Sequence, residues 1–147
     1  MKIILVINGP NLNRLGKRNR KFYGKLTLNQ INDHLDRLAK SRGVALKFFQ
    51  SNSEGALIDF IQHNSKETRG ILINPGALTQ YGYSLRDALV DTRLPVVTVH
   101  LSDIKNREDF RKIDVFEGIT LKNIYGLREK SYIKGLEILI NHICKSK

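Results

Sequence analysis

The chain is short of cysteine, of carboxylates and of long apolar runs, and each shortage removes a class of protein. Its one cysteine, Cys144, cannot form an internal disulfide, and no cysteine cluster suggests zinc. A reducing cytoplasm is the expected setting. Only 14 Asp and Glu stand against 25 Lys and Arg, a formal charge of +11 at pH 7, which excludes an acidic cation-binding protein. Two kinds of partner remain for so basic a chain: nucleic acid or an anionic small molecule. No apolar stretch approaches the roughly 18 residues of a membrane span. The apolar run near the N-terminus is too short for a signal-peptide core and has no small-residue cleavage site. No GxGxxG follows the first apolar run, and there is no phosphate-cradling GxxxxGK[ST], no nucleophile-elbow serine and no His or Cys pair at metal-ligand spacing. These absences point to acid–base chemistry without metal or cofactor. The 147 residues, 41% hydrophobic and 27% charged, have the length of one domain and carry no repeat, long linker or low-complexity tail, so residues 1–147 are expected to form a single domain.

What is present is an alternation of strands and amphipathic helices. Residues 2–7 (KIILVI) form an apolar, β-branched run closed by Asn8-Gly9-Pro10, the pattern of a buried strand and a turn. Residues 27–42 place Leu28, Ile31, Leu35 and Leu38 at helical spacing, with Thr27 as N-cap and Gly43 as the stop. Strands are predicted at 44–50, 70–74 and 96–101, with a weaker one near 119–121, and helices at 53–64, 84–92, 106–111 and 130–143. Strands apolar throughout, separated by helices, imply a parallel sheet covered on both faces. The fold class is therefore α/β: a flavodoxin-like, doubly wound, parallel five-stranded sheet in a three-layer sandwich. In such folds ligands bind beyond the carboxyl ends of the strands, which selects residues 8–23, 50–54, 74–83 and 100–111.

The first of these segments is long for a strand-to-helix connection, where about 2–6 residues is usual. It carries Arg14, Lys17, Arg18, Arg20 and Lys21 ahead of Tyr23. Charge alone favours a solvated basic loop. The sharper reading is a mobile cover that brings cations and a phenol over an anionic ligand, with Tyr23 as a general base if a guanidinium sits beside it. Asn74, at the end of the third strand, is a turn-former or a ligand contact. His100 ends the fourth strand in the same layer, followed by Leu101 and Ser102, and Arg111 follows on the predicted helix. His34, His63 and His142 receive no role.

These residues together resemble the type II 3-dehydroquinate dehydratases, over essentially the whole chain. The resemblance rests on Ile7-Asn8-Gly9-Pro10-Asn11-Leu12-Asn13-Arg14-Leu15-Gly16 with Phe22-Tyr23-Gly24, on Gln50-Ser51-Asn52-Ser53-Glu54-Gly55, and on Asn74-Pro75-Gly76-Ala77-Leu78-Thr79. It continues through Leu85-Arg86-Asp87-Ala88, Val99-His100-Leu101-Ser102 and Arg107-Glu108-Asp109-Phe110-Arg111. It implies the fold already expected, assembled as trimers that pack into a dodecamer. It implies an anti elimination of water from 3-dehydroquinate through an enolate, without a cofactor. By position Tyr23 would remove the C2 proton, Arg18 would favour the tyrosinate, and Asn11 would help hold a water that steadies the enolate. His100 would protonate the departing hydroxyl. Asn74 and the backbone amides of Leu101 and Ser102 would hold the substrate carboxylate, Arg111 a ring hydroxyl, and Asp87 would reach a neighbouring subunit's site.

The chain departs from the family pattern in four places, one of them late in the chain, where a glycine-rich turn becomes Gly126-Leu127-Arg128-Glu129-Lys130-Ser131-Tyr132. Gln80 stands where the family places a histidine that contacts substrate hydroxyls, and its amide can still donate and accept. Thr98 stands where a glutamate orients the acid histidine; it offers no negative charge to an imidazolium. Asn19-Arg20 follows Arg18 where Glu-Pro is usual. The expected function is dehydration of 3-dehydroquinate in the shikimate or quinate pathway, on a small anionic cyclic acid. The alternative is a catalytically weakened homologue that binds a related anionic ring. A nucleic-acid partner ranks last, because the charge comes without a recognition motif.

Overall fold

The computed structural model describes residues 1–145. Five parallel strands, β1 (Lys2–Asn8), β2 (Val44–Gln50), β3 (Thr68–Asn74), β4 (Val96–Val99) and β5 (Lys122–Ile124), stand in the order β2-β1-β3-β4-β5. That order reverses direction between β1 and β3, as in flavodoxin-like sheets. Five helices accompany them: α1 (Arg20–Tyr23), α2 (Leu28–Ser41), α3 (Glu54–Asn64), α4 (Tyr83–Thr92) and α5 (Glu129–Lys145). Side chains alternate across β1, so Ile4 and Val6 meet Ile31 and Leu35 of α2 and Leu136 and Leu139 of α5. Leu5 and Ile7 meet Leu57 and Ile61 of α3 and Leu85 and Leu89 of α4 on the other face. Burying each such aliphatic side chain contributes about 1.5–3 kcal/mol before chain entropy is charged against it. The resulting architecture is the expected three-layer sandwich. Among the described residues no helix is long and apolar enough to cross a membrane.

Local chemistry sets the helix starts. Thr27 and Gln30 form a reciprocal capping box at the start of α2, and Ser53 caps α3 by accepting from the Ala56 amide. In α5 a small residue is obligatory: a Cβ on Gly135 would lie 2.7 Å from Val99 and 2.8 Å from Leu72, so glycine lets the helix sit close on the sheet.

Three sequence expectations change. The weak strand at 119–121 lies instead at Lys122–Ile124, where only Ile124 is buried. An edge strand needs no continuous apolar run, so the hydrophobic pattern misplaces it. The helix at 106–111 is replaced by two short 3₁₀ turns, Ile104–Asn106 and Asp109–Lys112, because Arg107 between them is extended at φ −114° and ψ −159°. The long segment after β1 is also more than loop: it holds a 3₁₀ turn, Leu12–Arg14, and α1, whose N-cap Asn19 accepts from the Lys21 amide.

Candidate active site

At the switch between β1 and β3 the two following loops press together. The Gly9 amide donates to the Asn74 carbonyl at 2.8 Å, and a Cβ on Gly9 would collide with the Pro75 carbonyl oxygen at 2.4 Å. This contact opens a cavity beyond the strand ends. Of the ten residues assigned to the site from sequence, nine line it: Asn11, Arg18, Tyr23, Asn74, Gln80, His100, Leu101, Ser102 and Arg111. Asp87, on α4, is exposed and stands outside the chain's own cavity.

The first wall is built from charge. Tyr23 ends α1, and its hydroxyl oxygen accepts from Arg18 Nη2 at 2.9 Å and from Arg107 Nη1 at 2.8 Å. The Arg18 guanidinium also lies 3.8 Å from the Tyr23 ring centroid, and that of Arg107 lies 4.1 Å from the Phe22 ring. Two cationic N–H groups thus converge on one phenolic oxygen. Asn11 adopts a left-handed conformation (φ 69°), and its amide is held by Asn52 Oδ1 at 2.9 Å. Asparagine tolerates that conformation, which turns its side chain at the cavity mouth.

The second wall is built from scaffold. His100 follows β4, is 4% exposed, and is held by its amide on the Ile124 carbonyl at 2.8 Å. Its Nε2 is buried without a hydrogen-bond partner. Burial first, and the Lys105 ammonium second, push the imidazole down to a pKa of about 4. The ring is therefore neutral at ordinary pH. The Leu101 carbonyl accepts from the Arg128 amide at 2.9 Å. In a trans peptide the Ser102 N–H then points the opposite way, leaving it free of that turn.

Thr98, two residues before His100, donates its hydroxyl proton to Asn123 Oδ1 at 2.9 Å, and Asn123 donates to the Asp114 carboxylate. Burial raises the Asp114 carboxyl above the usual carboxylate range. Gln80 takes an unexpected posture. Its amide nitrogen reaches the Ile113 carbonyl at 3.3 Å and the Arg111 carbonyl at 3.5 Å, while Oε1 is buried without a partner. It brings to the cavity an acceptor rather than donors. Arg111 is paired with Glu108 and only partly exposed.

Sequence reasoning passed over two residues. Arg107 lies in a block of the resemblance but received no role; its signal was its place just beyond the fourth strand's carboxyl end. Tyr132 read as one apolar position of the last helix, yet its hydroxyl donates to Asn8 Oδ1 at 2.6 Å and accepts from Asn74 Nδ2 at 2.9 Å.

Residues 2–140 match the family model described as dehydroquinase class II. The chain is 46% identical to the 3-dehydroquinate dehydratase of Halothermothrix orenii over 99% of its own length and 98% of the relative's. It is 48% identical to that of Roseiflexus castenholzii over 93% and 87%. Among solved structures, the type II dehydroquinase of Butyrivibrio crossotus superposes with a TM-score of 0.91 at 41% identity, covering 94% of this chain and 97% of the other. With a parallel sheet of this order and a cavity lined by these residues, the chain belongs to the class II dehydroquinase family.

Proposed function

We propose that the chain dehydrates 3-dehydroquinate to 3-dehydroshikimate by anti elimination, as a hydro-lyase of aromatic biosynthesis. The observation that carries this reading is a doubly cation-bonded phenol and a buried, unpartnered imidazole nitrogen facing one cavity. Tyr23, as phenolate, takes the C2 proton; the C2–H electron pair delocalises onto the C3 carbonyl oxygen as an enolate. Collapse of the enolate breaks the C1–O bond, and His100 Nε2 delivers the proton with which the hydroxyl leaves as water. In the empty cavity His100 is neutral. The substrate carboxylate and the enolate bring negative charge beside it, which raises its proton affinity at the step that needs a proton. Arg18 and Arg107 hold the tyrosinate, Asn74 with the Leu101 and Ser102 amides takes the carboxylate, and Arg111 and Gln80 meet ring hydroxyls. Asn11 holds the water that steadies the enolate.

The weakened-homologue alternative loses support from relatives at 46% and 48% identity that bear the dehydratase name. Residues 1–147 act as one dehydroquinase-like unit. The exposed Asp87 and the half-exposed edge strand β2 suit a trimer-based dodecamer in which Asp87 completes a neighbour's site. The setting is the cytoplasm, for which the single cysteine speaks. Purified protein with 3-dehydroquinate is expected to generate the ultraviolet absorbance of a conjugated enone, and Tyr23→Phe to abolish it. Wild-type protein without that signal refutes the reading; a fully active Tyr23→Phe moves the base elsewhere.

A further inference from the structure

Beneath the cavity floor lies a polar cluster that the reaction does not use directly. Tyr132 is fully buried, as are the ends of β1 and β3 against which its hydroxyl is set. Its oxygen lies 2.6 Å from Asn8 Oδ1 and 2.9 Å from Asn74 Nδ2, and the Gly76 amide donates to Asn74 Oδ1 at 3.0 Å. We infer that Tyr132 is a positioning residue: it fixes which way round the Asn74 carboxamide stands, so that one N–H of that group is kept for an anionic oxygen of the ligand. The inference rests on the reading of Asn74 as a substrate contact.

The argument is a count of protons. A phenol has one, and here it goes to the Asn8 carboxamide oxygen. Toward Asn74 the phenol can then only accept, so nitrogen must face it. On the other side the Gly76 N–H can only donate, so oxygen must face it. Turning the carboxamide over would set an NH₂ against an N–H and an oxygen against an oxygen with no proton between them. Both bonds would be lost in a buried place, where unmade hydrogen bonds are costly. Burial also raises the Tyr132 pKa, so the phenol keeps its proton and the count holds across the working pH range. Asn74 Nδ2 has a second hydrogen, which the cluster does not take. Asn74 lines the cavity with three guanidinia, from Arg18, Arg107 and Arg111, and adds to them a neutral donor of fixed direction.

The test is a double-mutant cycle on steady-state kinetics with 3-dehydroquinate, using Tyr132→Phe, Asn74→Ala and the combined variant. Tyr132→Phe keeps the ring in its packing and removes only the hydroxyl. Each single variant is expected to raise KM about tenfold, the worth of roughly one net hydrogen bond, with kcat changed less. The combined variant is expected to be no worse than Asn74→Ala. A folded Tyr132→Phe with wild-type KM, or effects that multiply in the combined variant, overturns the inference while leaving Asn74 in its role. An Asn74→Ala variant with wild-type KM overturns that role, and the inference with it. A purely structural Tyr132 would lower the melting temperature and leave KM alone. Should Tyr132→Phe not fold, the wild-type protein decides by NMR: one Asn74 side-chain amide proton is expected to exchange slowly and the other fast. Fast exchange of both overturns the inference.

Discussion

The two walls of the cavity solve opposite problems with opposite materials. Tyr23 sits on a single helical turn, half-buried, and is gripped by two guanidinia, one 5 residues away in the chain and the other 84. His100 hangs from the end of a sheet strand, almost wholly buried, with a ring nitrogen that touches no partner. One group has two cationic hydrogen-bond donors on its oxygen; the other has a buried ring nitrogen with no hydrogen-bond partner. The contrast sets a phenol held by fixed guanidinia against an imidazole held neutral by desolvation. On the proposed reading the first is the base and the second the acid, to which the ligand brings negative charge.

That contrast can be broken from either side. The largest effect is expected at the base: Tyr23→Phe should lower kcat by about 10²–10⁴-fold, the range for loss of a positioned general base, with the fold intact by circular dichroism. Next comes the desolvated acid, through stability. With its folded pKa near 4 and an ordinary value of 6.5, His100 favours the folded state above about pH 6.5. That contribution is lost as pH falls from about 6.5 toward 4, and amounts to about 3 kcal/mol in the full-shift limit. Denaturant unfolding at stepped pH should therefore show a slope in this window that His100→Gln removes. Arg107→Ala takes one of two guanidinia from Tyr23 and should cost about 10–100-fold in kcat/KM. An unchanged value would leave Arg18 as the sole electrostatic partner of the base. The smallest effect is expected from Thr98→Glu with Gln80→His. A carboxylate beside His100 favours imidazolium, so the alkaline limb of the pH–rate profile, where the acid loses its proton, should move upward and turnover rise by about tenfold or less. A double variant that folds without any such shift would show that these two positions do not set the protonation of the acid.

Legibility followed the same divide. The sheet, its order class and α2 to α5 could be read because continuous apolar strands and periodic helices record burial directly. Thr27 announced its helix because a cap is chemistry within three residues of sequence. The edge strand β5 was displaced, since pairing on one side only leaves little apolar trace. The turns around Arg107 were read as one helix because extended backbone at a single charged residue has no compositional signature. At the site, position beyond a strand end singled out Asn74, His100 and Arg111, the long basic loop singled out Tyr23 with Arg18 among its cations, and the family blocks supplied Asn11, Gln80 and Asp87. The donor–acceptor sense of Gln80 was invisible: whether an amide presents nitrogen or oxygen depends on carbonyls more than 30 residues away. Tyr132 was hidden for a related reason, because a buried aromatic on an apolar helix face looks the same with or without a use for its hydroxyl.

The hydrogen bond between Tyr132 and Asn8 joins residues 124 apart in the chain. During synthesis β1 emerges well before α5, the helix that completes its polar end. Until α5 docks, the carboxamides at the ends of β1 and β3 lack the hydroxyl that arranges them, whatever part of the sheet has already paired. Loop closure over so long a span is slow relative to local helix formation. A chain interrupted before α5 therefore holds the residues of the cavity without the hydroxyl that bonds both Asn8 and Asn74.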